Sequence, residues 1–158
     1  MARRKLRNLD NRILKKIVAH GSEYGIDEIS TKKVAEEIGI TEPTIYVHFH
    51  TRNNVLLVAN EYAIEDLKAE ATGDATLEGK WGLLLKAAAS NPESAKYAYY
   101  FRQKNISADY DALFDKFVDA SDALKVSILE HYMYQAAAGS LEVNDENISK
   151  TFKIISSL

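Results

Sequence analysis

Residues 30–49 constrain the fold more than any other stretch of this 158-residue chain. They hold two short helical patterns, each with its own start and stop. Ser30 is a strong N-cap, because its hydroxyl can accept from a backbone N–H that a helix start leaves unpaired. Behind it Val34, Ala35 and Ile38 fall on one helical face. Gly39 stops that helix, since it accepts a left-handed backbone at no steric cost. Thr41 caps a second helix, with Pro43 tolerated in its first turn. Ile45, Tyr46 and Phe49 supply that helix's buried side. Helices this short do not persist alone in water, so the two must pack as a hairpin. Val34, Ala35, Ile38, Ile40 and Ile45 give it a small core, with Ala35 small where the helices approach. The second helix then shows Glu42, Pro43, Thr44, Val47 and His48 to solvent, and a helix with short outer side chains can enter a DNA major groove. An ordinary helical hairpin is the plainer reading of geometry alone.

The surrounding pattern is helical throughout. Ile13, Leu14, Ile17 and Val18 mark one face of a helix over 9–23, with Gly21 and Gly25 bracketing its end. Thr51 opens a longer helix carrying Val55, Leu56, Val58, Ala59, Tyr62 and Leu67. A break is expected at Thr72-Gly73-Asp74, followed by helices near 76–90, 93–104, 110–138 and 146–158. Asn91-Pro92 and Gly139-Ser140 punctuate them. Nothing alternates as a strand does, and no internal repeat is visible. The expected fold class is all-α, in two units over 7–67 and 68–158.

Composition narrows the function. The chain has no cysteine, which excludes disulfides, thiol catalysis and thiolate metal sites. No apolar run is long enough to span a bilayer, and no apolar stretch follows the basic N-terminus as a signal peptide requires. A cytoplasmic protein is expected. The net charge of −3 conceals an asymmetry. Residues 1–60 carry ten Lys and Arg against seven Asp and Glu, whereas 61–158 carry ten against sixteen. Before residue 20, Arg3, Arg4, Lys5, Arg7, Arg12, Lys15 and Lys16 face only Asp10. This is either a phosphate-binding arm or a solubilising tail.

The hairpin resembles the TetR family's pattern of a Ser/Thr cap, Ile/Val-Ala, Gly-Val/Ile-Ser/Thr, a Thr-Leu/Ile-Tyr step, His-Phe and a following basic residue. Here those are Ser30, Val34-Ala35, Gly39-Ile40-Thr41, Thr44-Ile45-Tyr46, His48-Phe49 and Arg52. Arg12-Ile13-Leu14 and Gly25-Ile26 fit the preceding part of the pattern, so the resemblance covers roughly residues 7–67. It implies that Ser30, Thr31 and Lys32 meet phosphate at a helix N-terminus, where N–H groups and the dipole favour anions. Thr41, Glu42, Pro43, Thr44, Val47 and His48 would face the groove, with Tyr46 placing its hydroxyl on a phosphate and Arg52 clamping the DNA backbone. Two positions depart from the pattern. Glu42 is acidic, and either accepts from a cytosine amino group or points to solvent. Arg52 replaces the usual Lys, keeping the charge and changing its geometry.

Other chemistry is poorly represented. His48 and His50 lie two apart, so they do not share a helix face, and no third ligand has suitable spacing; no metal and no cofactor are expected. Walker, dinucleotide-binding, Gly-x-Ser-x-Gly and His-Glu-x-x-His motifs are missing, so the chain is not expected to be an enzyme. Residues 61–158 hold twelve of the fifteen aromatic side chains. They are either core or the wall of a pocket for a small apolar or aromatic effector. The candidates for such a pocket are Trp81, Tyr97, Tyr100, Phe101, Tyr110, Phe114, Phe117 and Tyr132. Tyr97, Tyr100 and Phe101 share one helix face, and Phe114 and Phe117 form a similar pair. The resemblance also implies that 7–67 is an N-terminal helix-turn-helix DNA-binding unit and 68–158 a ligand-binding and dimerisation unit, with a homodimer formed through the last helices and 128–134 and 148–158 as the contact segments. The family's second half is usually longer, so a final helix is expected to be missing or merged. The resulting expectation is a repressor that covers a double-stranded DNA operator and leaves it when a small-molecule effector binds. The alternatives are a ligand-independent helix-turn-helix protein, or a small helical binding module or enzyme that shares only the hairpin.

Overall fold

The computed structural model describes residues 8–73 and 76–158. The all-α expectation holds, and among the described residues there is no strand. The helices are α1 (Asn8–Tyr24), α2 (Thr31–Ile38), α3 (Glu42–Phe49), α4 (Arg52–Glu70), α5 (Leu77–Ser90), α6 (Pro92–Lys104), α7 (Ala108–Asp111), α8 (Ala123–Ala138) and α9 (Asp145–Ser156). Short 3-10 turns at Ile26–Glu28 and Ala112–Phe114 join them. The basic cluster Arg3, Arg4, Lys5 and Arg7 lies outside the described residues.

Local chemistry sets most helix ends. The hydroxyls of Ser30, Thr51 and Thr76 accept from the backbone N–H groups of Lys33, Asn54 and Gly79. Gly39 takes the left-handed conformation (φ 79°, ψ 29°) and donates to Glu36, while the Ile40 N–H reaches the Ala35 carbonyl at 2.9 Å. This paired closure satisfies the last carbonyls of α2. Thr41 departs from its expected role, because its hydroxyl bonds the Thr44 hydroxyl at 2.9 Å rather than a backbone N–H.

Two expectations about boundaries need correction. Gly21 does not stop α1, which continues to Tyr24. Instead it is buried against α6: a Cβ at that position would lie 2.5 Å from a ring carbon of Tyr97. The expected long helix over 110–138 is broken. After α7 and its 3-10 turn, the Asp119 carboxylate accepts from the N–H and the hydroxyl of Ser121, and Asp122 caps α8 at Lys125. These local side-chain bonds offer the backbone an alternative to continuous helix.

The buried apolar residues form two clusters. The first joins α1, α2, α3 and the first half of α4 through Ile13, Ile17, Val34, Ile45 and Val55, and it takes in Tyr97 and Phe101 from α6. The second lies among α5, α7, α8 and α9, with Trp81, Leu85, Phe114, Leu129 and Met133 at its centre. Two helices belong to both. α4 gives Val55, Leu56 and Ala59 to the first cluster and Ile64 and Leu67 to the second, while α6 turns Ala95 and Ala98 to the second. The expected boundary after residue 67 falls inside α4.

Candidate nucleic-acid interface

α2 and α3 meet through Val34, Ala35 and Ile45, all with 1% exposure or less. Three polar links fix this pair against its surroundings. The Arg12 guanidinium of α1 donates to the Ile38 carbonyl at the end of α2, at 2.9 Å. His20 of α1 bonds Glu37 of α2 at 2.9 Å. The His48 ring of α3 contacts the Asp10 carboxylate of α1 through Nδ1. α3 therefore lies with Ile45 and Phe49 inward, while Thr41, Pro43, Val47 and His48 lie outward. Val47 is 74% exposed, an apolar side chain left without cover in the middle of that outer face.

The residues expected to touch DNA divide into three sets. Thr41, Pro43, Val47 and His48 share the outer face of α3, with Thr44 half-buried beside them. Ser30 and Lys32 stand at the start of α2, the former using its hydroxyl as a cap and the latter exposed. The remaining four make bonds within the protein. Thr31 is 5% exposed and its hydroxyl donates to the Glu42 carboxylate. The Tyr46 hydroxyl lies 2.9 Å from that same Thr31 oxygen. Arg52 donates to the carbonyls of Ile29 at 2.7 Å and Ile26 at 3.3 Å, which ties the start of α4 to the approach of α2. Glu42 therefore neither points freely to solvent nor stands unpaired.

Sequence reasoning passed over Lys33, exposed beside Lys32 in the first turn of α2, and Asp10. The adjacent basic pair was a visible signal for Lys33. Asp10 carried only the weaker signal of an acidic side chain in a helix's first turn, where the dipole favours it.

The eight aromatic residues proposed as a pocket do not surround one cavity. Tyr97 and Phe101 are stacked, 6.2 Å between centroids, inside the first cluster. The Tyr97 hydroxyl donates to the Leu56 carbonyl at 2.8 Å, and burial pushes it well above the usual phenol range. Tyr100 packs against the edge of that cluster and bonds the Tyr134 hydroxyl at 2.8 Å; burial, then that hydrogen bond, pushes the phenol up to about 12. Trp81 is fully buried, donates to Thr151 at 2.8 Å and meets Phe117 and Tyr132 edge-on. Tyr110 and Phe114 are fully buried against each other. Core packing accounts for most of these rings. Phe117 borders an open cavity of about 420 Å³, and Tyr132 borders a groove of about 560 Å³ between α6 and α8.

Among the described residues no group of three His, Asp or Glu side chains is gathered as a metal site, and no helix is long and apolar enough to cross a membrane.

A capped pair of short helices, held by a third and presenting one uncovered face, defines a helix-turn-helix protein. Residues 13–59 match the profile of bacterial regulatory proteins of the tetR family. The likeness in fold extends over most of the chain. A TetR family transcription regulator from Marinobacter aquaeolei VT8 superposes with a TM-score of 0.66 at 18% identity, covering 94% of this chain and 93% of that one. A TetR-like transcriptional regulator from Rhodococcus sp. RHA1 gives 0.63 at 14% identity, covering 96% of each chain. The fatty acid degradation regulator FadR from Bacillus halodurans gives 0.56 at 14% identity, covering 98% of this chain and 95% of that one. No curated protein matches the sequence at a significant level.

Proposed function

We propose that the chain is a transcriptional repressor that binds a double-stranded operator as a homodimer and is released by a small apolar or aromatic effector. The observation that carries the reading is the uncovered outer face of α3, where Val47 stands 74% exposed between Thr44 and His48. An exposed apolar side chain of that size suits a thymine methyl group, and the neighbouring hydroxyl and imidazole suit base edges. Lys32 and Lys33 at the start of α2 supply charge beside N–H groups that favour phosphate.

A single copy reads one half-site, and two copies spaced for successive major grooves read an operator. The α8 and α9 surfaces support self-association: Leu124 is 74% and Ile154 47% exposed, with Ile128, Tyr132 and Phe152 half-buried beside them. The cavity bounded by Leu84, Leu113 and Phe117 and the groove beside Tyr99 and Tyr132 are the spaces an effector would use. Ligand acts by preferring a conformer in which the two α3 helices are wrongly spaced.

Anisotropy titrations against labelled duplexes, over a range of salt, test the reading. Lys32→Ala is expected to weaken binding to every duplex alike and to lower the salt slope by about 1. His48→Ala is expected to change preference at one base pair by about 1–3 kcal/mol. If His48→Ala and Val47→Ala leave the order of preferred sequences untouched, α3 is not the reading helix.

A further inference from the structure

We propose that Glu42 is a positioning residue that, acting through Thr31, turns the hydroxyl proton of Tyr46 away from the DNA-facing surface and so restrains the protein's affinity for DNA of any sequence. The inference rests on the DNA-binding reading above and deepens it.

Counting protons carries the argument. The Thr31 hydroxyl has one proton and two lone pairs, and an ionised carboxylate has only acceptor sites. The bond between Thr31 and Glu42 therefore consumes the single Thr31 proton. The Thr31 oxygen also lies 2.9 Å from the Tyr46 hydroxyl, and that contact has no proton left unless the phenol supplies it. Tyr46 must donate inward. Thr31 is buried and its oxygen meets both groups, so the direction of the chain is set from the Glu42 end.

The consequence lies on the other side of the phenol. With its proton spent on Thr31, the Tyr46 oxygen offers only lone pairs outward, and a phosphate oxygen meeting it is repelled. The group stands next to the first residue of α2, beside Lys32 and Lys33, where a phosphate is otherwise favoured. A Gln at position 42 removes the restriction. Its amide can present N–H to Thr31, Thr31 then donates to Tyr46, and the phenol proton becomes free for a phosphate.

A double-mutant cycle separates this relay from simple loss of a negative charge. E42Q is expected to tighten binding about tenfold on every duplex, operator or not, since a hydrogen bond to an ionised group is gained. In a Y46F background the gain should fall to about twofold or threefold, the part due to charge alone. T31V, which deletes the middle of the chain without moving Glu42, should also tighten binding, again only when Tyr46 keeps its hydroxyl. An equal gain with and without that hydroxyl overturns the proposal. A readout free of DNA accompanies the cycle: the 13Cζ resonance of Tyr46 in tyrosine-labelled protein, assigned by its loss in Y46F. It should move in both E42Q and T31V, and an unmoved resonance in either overturns the relay. If the wild-type chain binds no duplex at any salt, the regulator reading fails, and the resonance still decides the relay.

Discussion

Around Ile17, Val34 and Ile45 the buried polar side chains are bonded in ways that fix one helix to another. His20 takes Glu37, Thr31 takes Glu42 and Tyr46, and Tyr97 reaches the Leu56 carbonyl. Around Leu129 and Phe114 such bonding is incomplete: Trp81 donates to Thr151 between α5 and α9, but other buried polar groups are left over. The Tyr110 hydroxyl and one Glu130 oxygen are buried with no hydrogen-bond partner. Glu130 is 1% exposed, 3.5 Å from the Arg102 guanidinium, which itself engages Asp111 at 3.0 Å. One half uses its polar groups to lock a geometry. The other carries an electrostatic imbalance, because an unsatisfied buried group costs free energy that the fold must offset elsewhere. Under the function proposed above, reading a groove needs fixed spacing, whereas answering a ligand needs a region that can rearrange at modest cost.

Removing the largest side chain of the second cluster tests whether the two halves open separately. Trp81→Ala should cost about 3–5 kcal/mol, from lost burial, the cavity and the lost hydrogen bond to Thr151. That lowers Tm by about 6–20 °C in a chain of this size. Hydrogen exchange should show α5, α8 and α9 opening while α2 and α3 stay protected. Uniform loss of protection across all helices would break the comparison.

A smaller effect is expected at the seam. Gly21→Ala places a methyl group into the Tyr97 ring and should cost about 1–3 kcal/mol, measured by urea denaturation. Ala tolerated there without loss would mean that α1 and α6 are not held as closely as the contact requires.

The third test sharpens the contrast through pH. Burial, then the hydrogen bond and charge of Asp111, push the Glu130 carboxyl up to about 9 against an ordinary 4.5, with Arg102 opposing. The folded state therefore holds a proton that the unfolded chain releases. This contribution is fully present below about pH 4.5 and is lost as pH rises through about 9. Tm of the wild type should decline across that window, and Glu130→Gln, which keeps the neutral form at every pH, should decline less. Parallel curves for the two proteins would show that Glu130 is ionised in the fold.

What could be read in advance follows how local each cause is. Ser30, Gly39 and Thr51 act on backbone groups within a few positions, so the hairpin and its outward residues were legible. The break before α8 was also local, but the signal in Asp119, Ser121 and Asp122 was outweighed by the apolar spacing around it. Gly21 was misread because its reason is Tyr97, which is distant in sequence. The shared face of Tyr97, Tyr100 and Phe101 was legible, but not what lay opposite it: α1 and α4, rather than the rings of Trp81 and Phe114. Arg52 and Glu42 present the same difficulty. A charged side chain near a predicted DNA surface has no sequence mark showing that a carbonyl or a hydroxyl already occupies it.

The double membership of α6 limits how this protein can be recombined. A chimera that joins residues 8–70 to a foreign second half leaves behind Tyr97 and Phe101, so the bare backbone at Gly21 loses the ring that it is shaped to receive. Exchange of specificity between such proteins is then easier by altering the outer face of α3 than by shuffling whole halves. A graft that does succeed must bring an α6 with an aromatic ring at the same height.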